Sequence, residues 1–341
     1  MTPIRSVAQY RWLILALLAL LILSCLMALG FGPARVPLGT VLGIVLHESG
    51  FDSAMDWSRG QAQIIWLIRA PRVLLGALVG AGLALVGTAL QAVTRNPLAD
   101  PHLLGVSSGA ALGAVAAVLY LGEFVGAFSL PLAAFIGALG SMLLVLAVAS
   151  RHGRLESERL LLAGVAVSFV LMALVNLLLY TGDQHAANSV MFWMLGGLGL
   201  ARWELLWLPG ICVVTGFIVL LSLSRALNAL MSGEQTAVSL GFNTRHVRWQ
   251  VFVSTSLLTG VLVSLSGAIG FVGLMLPHMA RRLVGAEHRR LLPVSALLGA
   301  LFMIWVDVAA RSLIAPQDLP IGIATAAIGG VFFILLLRKR Q

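Results

Sequence analysis

The sequence predicts an all-α polytopic membrane protein of about ten transmembrane helices, with both termini on the cytoplasmic side. Three observations carry this. Of 341 residues, 60% are hydrophobic and only 10% charged, where an ordinary soluble domain has roughly a quarter charged. The apolar residues gather into runs near the ~20 residues that a helix needs to cross a ~30 Å hydrocarbon core, at 13–31, 64–91, 103–121, 129–149, 160–180, 205–224, 248–266, 267–284, 291–311 and 320–337. When those runs alternate in direction, only Arg35, Arg59, Arg69, Arg72, Arg202 and Arg311 of the 22 basic residues fall on one side. The rest, from Arg5 and Arg11 to Arg338, Lys339 and Arg340, mark the other side as cytoplasmic. Lipid cannot satisfy an open backbone, so the runs must be helices, and the alternation of a barrel strand is absent.

Each run has its own punctuation. The first follows Arg5 and Arg11 as the apolar part of a leader would, but about 19 residues is long for that part and nine more runs follow it. It is expected to be a retained helix. The second carries Gly76 and Gly80 on one face and ends at "RNPLADPHLLG" (95–105), where Pro97 and Pro101 stop one helix and delay the next. Gly105, Gly109 and Gly113 then recur every four residues, which lets a neighbouring helix approach closely. A polar break of this kind, with Asn96 and Leu98 in it, serves either as a simple helix junction or as part of a transport pathway. Cys25 and Cys212 lie within apolar runs and are expected to be free thiols.

Between the sixth and seventh runs, "ALNALMSGEQTAVSLGFNTRHVR" (226–248) predicts two short cytoplasmic helices. The first covers 226–231; the second is capped by Ser232, has Glu234 in its first turn, and closes at Gly241. Its Ala, Leu, Met and Val residues form an apolar surface facing the cytosol, which implies a protein partner. The seventh and eighth runs meet at "SLSGAIGFVG" (264–273) with no charged loop between them. In the ninth, Asp307 stands four residues before Arg311 and neutralises it across one helical turn. Arg69, Arg72 and Arg311, outside against the general bias, either snorkel at the interface or form a basic rim for carboxylates of a docking partner. The whole chain, 1–341, reads as a single transmembrane domain containing the 226–248 segment.

Several functions are excluded. The basic excess reports membrane topology, and no soluble module is present to carry nucleic acid. The seven histidines show no HExxH, no His/Cys cluster and no paired carboxylates with metal-ligand or catalytic spacing. Lys339 is the one lysine and Arg340 follows it, so the GxxxxGK[ST] phosphate loop does not occur in this chain. Ion-coupled carriers place ionisable groups deep in the membrane, and here Asp307 is the one acidic residue clearly within a run. Energy is therefore expected from another chain, with a secondary transporter as the alternative.

The motifs "RNPLADPHLLGVSSGAALGA" (95–114), "GEQTAVSLG" (233–241), "GAIGFVGLMLPHMARRLVG" (267–285), "HRRLLPVSALLGAL" (288–301) and "DLPIGIATAAIGG" (318–330) resemble the FecCD-type permeases of ABC importers. The resemblance covers essentially the whole chain. It implies a bacterial inner-membrane permease that is not itself an enzyme, working as a homodimer with two ATPase subunits and a periplasmic binding protein. No cofactor is expected on this chain, with ATP and Mg on the ATPase. The implied cargo is a ferric siderophore, with haem or cobalamin as alternatives. Residue by residue, the resemblance implies a cytoplasmic gate at Asn96 and Leu98 and ATPase coupling through Glu234, Ala237, Leu240 and Gly241. It also implies binding-protein docking by Arg69, Arg72 and Arg311. The family's RLPR reads here as "IRAPR" (68–72), with Ala70 between the two arginines that are kept. The stretch 181–206 resembles the family's short outer helix after the fifth span.

Overall fold

A computed structural model describes residues 6–51, 56–101, 105–150, 157–315 and 317–338. Arg5, Arg151, Arg154, Lys339 and Arg340 of the charge bias, and 102–104 of the polar turn, lie outside the described residues. The described residues form helices and connecting turns, and each of the ten predicted runs has a helix. In chain order these are α1 (Val7–Gly30), α2 (Leu38–Glu48), α3 (Arg59–Gln63), α4 (Ala70–Thr94), α5 (Val106–Ala116), α6 (Ser129–Ala149), α7 (Ser157–Thr181) and α8 (Gln184–Met194). Then come α9 (Trp203–Ser222), α10 (Ser224–Met231), α11 (Glu234–Ser239), α12 (Thr244–Ser266), α13 (Val272–Val284), α14 (His288–Leu313) and α15 (Ile321–Arg338).

Seven helices among the described residues are long and apolar enough to span a membrane alone. The longest is continuous from Arg59 to Thr94, because a π-helical turn, Ile64–Arg69, joins α3 to α4 without a break. With α12 and α14 it forms the buried centre of the bundle. Close backbone contact is bought with glycine at the predicted faces. A Cβ at Gly109 or Gly113 would strike the carbonyls of Gly137 and Ala133 on α6, and one at Gly80 would strike Gly299 on α14. The short helix expected after the fifth span is α8. Helix α2, between the first two spans, was not predicted.

The eighth run departs from expectation. A continuous helix over 267–284 is predicted, whereas the helix begins only at Val272. Its 13 residues rise about 20 Å at ~1.5 Å each, short of the ~30 Å core. Gly267 (φ +65°) and Phe271 (φ +68°) hold left-handed backbone at the two ends of the break. Irregular backbone at membrane depth survives only when protein satisfies it, and here three chain breaks satisfy one another. Gly197 N–H donates to the Ser266 carbonyl at 2.8 Å, and Ile321 N–H, at the start of α15, donates to the Gly196 carbonyl at 2.8 Å. The approach is so close that a Cβ at Gly267 would meet the Trp193 carbonyl.

Candidate functional site

The three outer arginines converge, but they are engaged within the chain. The π-helical turn ends at Arg69, which donates to the carbonyls of Leu29 (2.7 Å) and Ala34 (2.5 Å) and so pins the end of α1 and the loop after it. Arg72 Nε donates to Asp307 Oδ1 at 2.8 Å and its Nη1 to Asp318 Oδ2 at 2.6 Å. Arg311 Nε lies 3.3 Å from Asp307 Oδ2, and its Nη2 donates to the Ala28 carbonyl at 2.7 Å. The predicted Asp307–Arg311 pair is therefore present, and Asp307 also carries Arg72. Arg69 and Arg311 are buried, not laid out as a free rim. With Asp318 the three cations line one outer cavity of about 260 Å³, where three positive charges face two carboxylates.

At the opposite end, Arg95 takes a left-handed conformation (φ +51°) and stops α4. Asn96 folds over its own turn, its Oδ1 accepting from Leu98 N–H at 2.9 Å, the local bond that makes asparagine a turn former. This leaves Leu98 55% exposed at the mouth of the bundle. One turn earlier, the buried Gln91 reaches α13: its Nε2 donates to the Gly273 carbonyl at 3.0 Å, and its Oε1 accepts from Arg281 Nη2 at 2.5 Å. Sequence reasoning missed both Gln91 and Arg281. The available signal was Pro277, which has no N–H for the carbonyl four residues back.

The 226–248 segment folds as two short helices, with one correction. Ser232 does not cap the second helix; its N–H closes the first on the Asn228 and Ala229 carbonyls, and Gly233 (φ +123°) takes the cap position. Gly233 wins because the sharp turn between the helices needs positive φ, which glycine adopts without steric cost. Gly241 (φ +84°) ends α11 as expected, with Phe242 N–H returning to the Ala237 carbonyl at 3.0 Å. Glu234 is held by Arg248 of α12 through two bonds of 3.3 and 3.1 Å. Ala237 is fully buried, while Val238 and Leu240 are 58% and 63% exposed. Within the motif, Glu234 is exposed and tied to Arg248, Ala237 packs inside, Gly241 turns the chain, and Leu240 presents apolar surface.

Between the two ends, Ser107, Ser108, Ser168, Met172, Trp193 and Met194 line a cavity of about 320 Å³. Sequence reasoning did not pick out these serines, which come from two helices, Ser107 and Ser108 from α5 and Ser168 from α7. Cys25 and Cys212 are unpaired and half-buried.

A helical bundle with broken backbone at its centre, a polar turn at one mouth and a helical segment presenting apolar side chains beside it defines a multi-pass membrane transport subunit. The chain belongs to the FecCD transport family, whose model matches residues 20–339. It is 41% identical to the hemin transport system permease protein HmuU of Yersinia pestis, over 81% of this chain and 84% of that one. It is also 41% identical to the vitamin B12 import system permease protein BtuC of Salmonella paratyphi A, over 89% of this chain and 92% of that one. A transporter solved in an inward-facing conformation and described as of the metal-chelate ABC type superposes with a TM-score of 0.84 at 34% identity, covering 96% of this chain and 99% of its own. This chain is thus a multi-pass inner-membrane permease of an ABC importer.

Proposed function

We propose that the chain forms the pathway by which a large metal chelate enters the cell, as a homodimer powered by two separate ATPase subunits and supplied by a periplasmic binding protein. The observation that carries this is the 226–248 segment. It is braced from behind by Glu234–Arg248 and offers exposed Val238 and Leu240, in a chain whose sequence has no phosphate loop. An exposed apolar patch on a braced element suits a protein partner, and the ATPase is the partner the transport cycle needs. Nucleotide binding moves that segment, and the helices behind it switch access between the two sides. Asn96 and Leu98 gate the inner mouth, and the surplus positive charge around Arg69, Arg72 and Arg311 draws carboxylates of the binding protein to the outer mouth.

A ferric siderophore is the cargo proposed from the sequence. The names of the hemin and vitamin B12 relatives favour haem or a corrinoid as the second reading. Uptake of labelled ferric siderophores, haem and cobalamin in cells lacking this chain, against cells carrying it back, decides between them. One of the three is expected to be lost and restored. If all three are unchanged, the cargo assignment is wrong.

A further inference from the structure

We propose that Gln91 is a positioning residue for the inner gate, clasping the half-length helix α13 to the end of α4 that carries the gate turn. The inference rests on the reading of the Asn96–Leu98 turn as the gate. It begins with Pro277. Inside α13 this proline supplies no N–H, so the carbonyl of Gly273 loses its helical partner, and an open carbonyl inside a membrane protein is costly. The side chain of Gln91 fills that vacancy at 3.0 Å. Its other end accepts from Arg281 at 2.5 Å, one turn beyond the proline, and among the described residues Arg281 has no carboxylate partner. A single buried amide thus serves an unsatisfied carbonyl and a carboxylate-free cation of the same helix.

The place of this clasp gives it a role beyond stability. Helices α4 and α13 touch backbone to backbone there, since a Cβ at Gly87 would strike the Gly273 carbonyl. Pro101, at the far end of the gate turn, packs 3.4 Å from where a Cβ of Gly273 would stand. Gln91 is four residues before Arg95, so α4 passes any shift of α13 directly into the turn. The other end of α13 is tied to the ATPase-facing segment. Gly285 (φ +83°) turns the chain from α13 to α14. There His288 donates its backbone N–H (3.0 Å) to Asn228 Oδ1 of α10, and its Nδ1 lies 2.6 Å from the same oxygen. Movement of α10 and α11 therefore reaches α13 through Asn228 and His288, and reaches the gate through Gln91.

The test uses the permease assembled with its ATPase in inside-out vesicles, with Leu98→Cys as reporter and both native cysteines replaced by serine. Labelling by a membrane-impermeant maleimide is followed with and without a non-hydrolysable ATP analogue, and uptake per ATP is measured in the Gln91 variants without the reporter. With native Gln91, labelling is expected to respond to nucleotide. In Gln91→Leu the response is expected to disappear and uptake per ATP to fall about tenfold, equivalent to ~1.4 kcal/mol of coupling, while ATP hydrolysis continues. Gln91→Glu, which keeps an acceptor for Arg281 but gives up the donor to Gly273, is expected to fall between. If Gln91→Leu does not assemble, Gln91→Glu and Arg281→Gln supply the same readouts. Nucleotide-dependent labelling and uptake per ATP within about twofold of native in these variants would overturn the role of Gln91. A reporter that ignores nucleotide even with native Gln91 would overturn the gate reading itself, and this inference with it.

Discussion

Asp307→Ala is expected to lower folding stability by about 3–5 kcal/mol, the cost of removing one partner from a buried ionic group. Asp307 is 1% exposed and is shared by Arg72 at 2.8 Å and Arg311 at 3.3 Å. Truncation leaves Arg311, itself 3% exposed, without its carboxylate. It also releases Arg72, so α4 and α14 lose the ion pair that joins their outer ends. Thermal unfolding of the detergent-solubilised permease measures the effect. Asp318→Asn is the control, because that side chain is 50% exposed and an exposed pair is worth at most about 1 kcal/mol. Equal unfolding temperatures for Asp307→Ala and Asp318→Asn would show that the cluster is not a structural keystone.

Leu240→Glu is expected to separate folding from coupling. Leu240 is 63% exposed, so a carboxylate there is solvated in the isolated permease and the fold is expected to survive. In the assembled importer the same charge would be buried against the ATPase. Loss of a central apolar anchor costs roughly 2 kcal/mol or more, which weakens the complex about thirtyfold. Co-purification of the ATPase is expected to fail and uptake to drop by at least tenfold. Ala237→Leu should act in the opposite order, since Ala237 is fully buried and a larger side chain strains the fold before it reaches any partner. Full ATPase recovery with Leu240→Glu would remove this residue from the docking surface.

The sequence revealed position more readily than partnership. Composition and run length located a helix in each of the ten apolar runs, seven of them long enough to cross a membrane, because burial in lipid selects for bulk apolarity. The glycine spacing on α4 and α5 likewise identified their contact faces, since close approach leaves a local signature. The break before α13 left no such trace. Its backbone groups are satisfied by Gly197 and the neighbouring chain break, about 70 residues earlier in the chain, so the residues around it stay as apolar as a continuous helix. Orientation of side chains was hidden for the same reason. Arg69, Arg72 and Arg311 come together in the fold, but the acceptors that hold them, Leu29, Ala34, Asp307 and Ala28, belong to other elements in all but one case. The motif that carries Glu234 and Ala237 is local and was legible in the sequence, whereas the partner of Glu234 was not. Arg248, which pairs with the exposed carboxylate of Glu234, lies 14 residues on.

The central claim is that this chain is a passage driven by another chain's ATPase. Proteoliposomes holding the permease co-purified with its ATPase, supplied with its binding protein and a labelled metal chelate, test it most directly. ATP is expected to drive accumulation that survives a protonophore and stops when the ATPase is inactivated. Accumulation that persists without the ATPase and follows an imposed proton gradient would contradict the account.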